Sequence, residues 1–212
     1  MRKLTIILLS VVCFVSCSDS LEKLSLLSDG QPIQLSGTIS QQNVTRANEQ
    51  GFVTGDRMGI YVVDRVSREA GVLGASDNRA ANMIYTFDGD SYTWSSPTSI
   101  YWRDQQTAVD IYGYYPAVNF ISNPTAYNFE VRKDQSTEAG NGDLSGYEQS
   151  DLLWGKAANV GFTTECIIVS YHHIMAGVRV QLDEGTGISD TEWEKLIKQL
   201  SIDNTVRSAT VR

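Results

Sequence analysis

His172 and His173 are the only two histidines in the chain, and they are adjacent. On an extended strand neighbouring side chains point to opposite faces, so this pair cannot close on one metal ion. Cys166 stands apart from both, and a zinc site here would need carboxylates for its remaining ligands. One histidine against the core and one in solvent is the expected arrangement. Asp88 and Asp90 flank Gly89, which is hairpin-turn chemistry and too few oxygens for a calcium ion. No G-x-S-x-G nucleophile elbow and no phosphate-cradling glycine loop occurs. These residues argue against an enzyme and call for no metal and no cofactor. The aromatic residues Tyr101, Trp102, Tyr112, Tyr114, Tyr115 and Trp154 leave another possibility open. Tyr112 and Tyr114 share one face of a strand, opposite Ile111, Gly113 and Tyr115. An exposed pair there would contact glycans, and a glycan-binding β-sandwich lipoprotein of the outer membrane is the alternative reading. Against it, aromatic residues on strands supply much of a buried core.

The N-terminus carries chemistry of a different kind. Arg2 and Lys3 precede an apolar stretch from Leu4 to Val15, and Ser16 leads into Cys17. A basic start, a short apolar run and a small residue before the cut make a secretory signal, too short to span a bilayer. With a cysteine just past the small residue, the stretch resembles a bacterial lipoprotein signal, with residues 1–16 removed. That resemblance implies lipidation of Cys17, which becomes the first residue of an outer-membrane lipoprotein. Cys13 leaves with the signal and Cys166 is then the one free thiol, so no intrachain disulfide is available. Cys166 opens the apolar run Cys166-Ile167-Ile168-Val169, where a buried thiol is expected.

The formal charge is −8 and becomes more negative once Arg2 and Lys3 are lost. Phosphate backbones repel such a chain, and nucleic acid is not an expected partner. The acidic residues are dispersed, as on a solvated surface.

The elements that must position these groups are short strands. Between Ser18 and Asn48 the chain is polar, yet Ile33, Leu35 and Ile39 alternate with Gln34, Ser36 and Thr38, a strand signal inside a tether. Further strands are expected at 57–63, 83–87, 91–94, 100–102, 109–115, 127–131, 151–154, 165–171 and 176–182, with another in progress near Val206 to Val211. One helix is expected from Thr191 to Leu200, where Ser189 and Glu192 stand at capping-box spacing. Gln135 to Gln149, with three glycines, reads as a long loop. Strands of this length predict an all-β, antiparallel β-sandwich with one short helix near the C-terminus.

Several segments together resemble one family. Gly55-Asp56-Arg57-Met58-Gly59-Ile60-Tyr61 follows Phe52, and Ile100-Tyr101-Trp102 precedes Val109-Asp110-Ile111-Tyr112-Gly113-Tyr114-Tyr115-Pro116. Ser150-Asp151-Leu152-Leu153-Trp154-Gly155 and Tyr171-His172-His173-Ile174-Met175-Ala176-Gly177-Val178-Arg179-Val180 complete the set. In this order, behind such a signal, they resemble the Mfa-like fimbrillins, the lipoprotein pilins of Bacteroidota, in their N-terminal domain. The resemblance implies a transthyretin-like or immunoglobulin-like sandwich over 47–212, behind a lipidated pro-segment at 17–46. It implies a structural subunit of surface fimbriae, either a pilin or an accessory anchor or tip subunit. Proteolysis after Arg46 would make Ala47 the first residue and remove the strand carrying Ile33, Leu35 and Ile39. A strand from another fimbrillin subunit would then fill the vacated groove. Expected partners are other subunits, the outer membrane through the lipid, and host or bacterial surface ligands. The family commonly has two sandwich domains, whereas the sequence ends at Arg212.

Overall fold

The computed structural model describes residues 30–40, 51–138, 144–178 and 208–211. Among these residues the chain runs through β1 (Leu35–Ile39), β2 (Arg57–Asp64), β3 (Ala80–Asp88), β4 (Thr93–Ser95), β5 (Val109–Tyr115), β6 (Tyr127–Glu130), β7 (Leu153–Val160), β8 (Ile167–His173) and β9 (Ser208–Val211). A single 3-10 turn, Glu148–Ser150, interrupts them. Among the described residues the fold is all-β, as the strand pattern requires. Seven strands form one sheet in the order β1-β8-β7-β5-β2-β3-β4, and β6 pairs with β9. The large sheet curls into a nearly closed, sandwich-like or barrel-like arrangement.

The central strands β2 and β5 are buried on both faces, which explains their nearly continuous apolar sequences. Met58, Ile60 and Val62 of β2 point into the main core with Val109, Ile111 and Tyr115 of β5. On the other side of the sheet Tyr61 and Tyr114 approach each other, and Tyr127 of β6 packs against Tyr114 with ring centroids 5.7 Å apart. The small β6–β9 ladder thus lies against the outer face of the large sheet. Phe52 closes one end of the main core, its ring within 6.3 Å of those of Phe87, Trp94, Tyr115 and Tyr171.

The residues that carry the family resemblance are the ones that lock this core. Gly55 takes a positive φ of 94°, which a glycine adopts without strain. The Asp56 carboxylate behind it accepts the Val53 N–H at 2.8 Å and the Tyr115 hydroxyl at 2.8 Å. A Cβ on Gly59 would collide with the Tyr114 ring, so the glycine is the seat of that tyrosine. The Tyr114 hydroxyl donates to Asn82 Oδ1 at 2.6 Å. Trp102 donates its indole N–H to the Thr163 carbonyl at 3.1 Å.

The structure departs from the sequence expectations at several elements. β7 runs to Val160 rather than ending near Trp154, because β5 pairs along its whole length despite Gly155, Ala157 and Asn159. The 100–102 stretch is not a full strand; Tyr101 forms an isolated bridge with Pro32. β8 ends at His173; of the strand expected at 176–182, residues 176–178 are not strand and residues 179–182 lie outside the described residues. Of the segment expected near Val206 to Val211, Ser208–Val211 is strand, as β9, and residues 206–207 lie outside the described residues. The expected helix from Thr191 to Leu200 lies outside the described residues. One pair breaks the antiparallel rule: β1 runs parallel to β8. Cys166 is exposed rather than buried, since the inward set of β8 is Ile167, Val169 and Tyr171 and Cys166 falls on the outward set.

Candidate functional site

The feature that stands out in this fold is the way its first segment is seated. Residues 31–40 lie between two partners and change from one to the other midway. The Ile33 N–H donates to the Ile100 carbonyl at 2.7 Å, and the Trp102 N–H donates to the Gln31 carbonyl at 3.0 Å. From Gln34 onward the partner is β8: the Ile167 N–H donates to the Gln34 carbonyl at 2.8 Å and the Ser40 N–H to the Tyr171 carbonyl at 2.9 Å. Between those points Leu35 pairs with Ile167, Gly37 with Val169 and Ile39 with Tyr171.

The alternation seen in the sequence is realised in space. Ile33 and Leu35 are 3% and 6% exposed, inside the main core, and Ile39 packs against it partly buried. Gln34 and Thr38 face solvent. Gly37 sits on Tyr171: a Cβ built there would lie 3.0 Å from the ring. Tyr171 is fully buried and donates its hydroxyl to Met58 Sδ at 3.0 Å. Burial raises its hydroxyl well above the ordinary tyrosine range. On the outer side the Ser40 hydroxyl bonds the Tyr171 carbonyl at 3.1 Å and lies 2.5 Å from His172 Nδ1.

The two histidines do face different ways. His172 points outward to Ser40, while His173 is half-buried with its Nδ1 2.6 Å from Asp151. Among the described residues no three histidine, cysteine or carboxylate side chains gather as metal ligands. The glycan pair is not presented as the sequence suggested. Tyr114 is buried beneath the β6 layer, and Tyr112 is half-buried with the Lys156 ammonium 4.7 Å above its ring. Tyr114 is covered because Tyr127 of β6 packs on its ring and the Val118 backbone bonds its hydroxyl. Cys17, Arg46 and Ala47 lie outside the described residues.

Sequence reading missed a charged cluster at one end of β2, β5 and β7. Asp110 is fully buried; it accepts both oxygens' worth of bonds from Arg65 at 2.9 and 3.0 Å, and the Asn159 N–H at 2.7 Å. Lys156 lies 3.7 Å from it. Burial pushes the Asp110 carboxyl up, but the Asn159 N–H, the Arg65 bonds and the two positive charges outweigh it and hold it below the usual carboxylate range. Asp64 similarly binds Arg79 at 2.7 Å and Arg103 at 2.8 Å. This cluster fastens strands: Asp110 of β5 holds Arg65 after β2 and the Asn159 N–H of β7. Its only sequence sign was Asp110 within an apolar strand, a buried charge that must be paired.

Three solved structures resemble the chain. A fimbrial protein from Bacteroides ovatus ATCC 8483 is 18% identical, with a TM-score of 0.44, over 68% of this chain and 28% of its own. A candidate cell adhesion protein from Bacteroides uniformis ATCC 8492 is 18% identical, with a TM-score of 0.45, over 69% of this chain and 48% of its own. Another, from Bacteroides ovatus ATCC 8483, is 18% identical, with a TM-score of 0.45, over 67% and 52%. The chain therefore matches about half or less of the length of each. No curated protein matches it. A family model described as fimbrillin-like matches residues 45–212, the larger part of the chain, and on that match the protein belongs to the fimbrillin-like family.

Proposed function

We propose that the chain is a structural subunit of bacterial surface fimbriae, a pilin or an accessory anchor or tip subunit, built to exchange its first strand. In this reading it is exported as a lipoprotein on Cys17 and carried to the outer membrane. Cleavage after Arg46 leaves Ala47 as the first residue and frees β1. The observation that carries the reading is the position of β1. It is an edge strand, parallel to β8, seated by its own apolar side chains and lying upstream of the residues matched by the family.

The physics of exchange follows from that seat. Cutting the chain between Ile39 and Phe52 leaves β1 held by ladder bonds and by burial of its side chains alone. Ile33 and Leu35 contribute about 3–6 kcal/mol of burial between them, and each ladder bond adds roughly 1 kcal/mol. That is enough to keep the seat filled until a competing strand arrives. Removing β1 exposes the free amide and carbonyl edge of β8, together with Val169 and the side of Tyr171. An unpaired, apolar edge of this kind recruits another strand. A strand supplied by a neighbouring fimbrillin subunit restores the same bonds across a subunit boundary.

The test is the N-terminal residue and intact mass of the protein from surface-sheared and membrane fractions. The expected result is a form beginning at Ala47 within high-mass polymers. A single form beginning at lipidated Cys17, monomeric and confined to membranes, would sink strand exchange and leave an anchor subunit that is never cut.

A further inference from the structure

We propose that the β1 seat reads the register of its occupant through one glycine, so that a strand donated by another subunit must run parallel to β8 with the spacing aliphatic-x-aliphatic-x-Gly-x-aliphatic. This rests on the strand-exchange reading and names the partner chemistry that the seat accepts.

Period-two alternation alone does not define a register in steps of two, because a strand slipped by two residues still turns the same face to the core. Here Gly37 breaks that degeneracy. Its missing Cβ is filled by the edge of the Tyr171 ring, and Tyr171 cannot move aside. It is fully buried, its hydroxyl is bonded to Met58, and its ring end lies over Gly113, where a Cβ would collide with the hydroxyl. A slip of two residues in either direction brings Leu35 or Ile39 onto the ring, and neither side chain fits where a Cβ is already at 3.0 Å. The switch of backbone partner between Ile33 and Gln34 adds a second constraint. Residues on the N-terminal side of the switch must meet Ile100 and Trp102 while those after it meet β8. The full spacing occurs once in this chain, at Ile33, Leu35, Gly37 and Ile39. Its nearest echo, Val109-x-Ile111-x-Gly113-x-Tyr115, is committed to the centre of the sheet.

Cys166 offers a reporter, since Gln34 and Cys166 each precede the paired residues Leu35 and Ile167 by one and both are exposed. In the full chain with Cys13 and Cys17 replaced by Ser, Gln34→Cys is expected to form a disulfide with Cys166 on mild oxidation. Adding Gly37→Val is expected to lower that yield by about tenfold, and Tyr171→Val in the same chain to restore it. Undiminished cross-linking in the Gly37→Val chain would overturn the proposal without touching strand exchange. The second arm uses the full chain with a specific protease site placed within residues 41–50 and cut. A labelled peptide with the sequence of residues 31–40 is expected to displace the native segment, and the same peptide with valine at position 37 to do so at least about tenfold less well. Equal displacement by the two peptides would overturn the proposal. Displacement by neither, with the cross-link shift present, would uphold the register rule for β1 and sink strand exchange.

Discussion

At the scale of single residues, the motifs that look like a family signature turn out to be pieces of mutual support. Gly59 makes room for Tyr114, Asp56 receives Tyr115, and Gly113 makes room for Tyr171. Each link joins residues far apart in sequence, so the sequence shows the participants but not the pairing. Gly59→Ala would force a Cβ into the Tyr114 ring and is expected to cost about 2–3 kcal/mol, read as a lowered urea midpoint. Asp110 supplies a pH-dependent case. Its carboxyl is held below the usual range in the folded chain by Asn159, Arg65 and Lys156, against the upward push of burial. A carboxyl with a depressed folded value contributes stability that is fully present above the unfolded value of about 4. That contribution fades as the pH falls through the folded value. Asp110→Asn is therefore expected to lower stability at neutral pH and to flatten the loss between about pH 5 and pH 2; urea unfolding across that range reads both. Asp110→Ala leaves Arg65 without its buried partner and is expected to cost about 3 kcal/mol near neutral pH.

At the scale of elements, legibility followed periodicity. β2 and β5 are plain in the sequence because β-branched and aromatic residues dominate them, and β1 because its Leu35 and Ile39, with Ile33 just before them, alternate with polar residues. The far half of β7 was not, since Gly155, Ala157 and Asn159 have low strand propensity and are held only by their ladder to β5. The exposure of Cys166 is not legible in the sequence, because an apolar run does not reveal which of its members starts the strand. The parallel sense of β1 was invisible too, as strand direction depends on the path of the chain between elements. Tyr114 looked available because its face was counted from β5 alone, without the β6 layer that covers it. β1 also has a distinct energetic standing: it is an edge strand of five residues bonded on one side to β8. Native-state hydrogen exchange is expected to open its amides well before those of β2 and β5, which are paired on both sides. Equal protection in β1 and β5 would contradict a detachable first strand. Leu35→Ala, which empties a filled site, is expected to cost about 2–4 kcal/mol in the intact chain.

At the scale of the whole molecule, a curled sheet is completed by a segment that precedes the family match, with Arg46 in the stretch that joins the two. In the proposed reading this arrangement makes the fold a receptor that carries its own provisional occupant. A net negative charge and a seated edge strand suit the proposed role of a building block. If strands are exchanged as proposed, the strand beside β8 in the assembled fimbria belongs to another subunit. The most direct measurement is a structure of native fimbriae resolved well enough to trace the strand paired with residues 167–171. The expected result is a strand continuous with a neighbouring subunit, parallel to β8, with a glycine over Tyr171. Finding residues 35–39 of the same chain still in that place would contradict it.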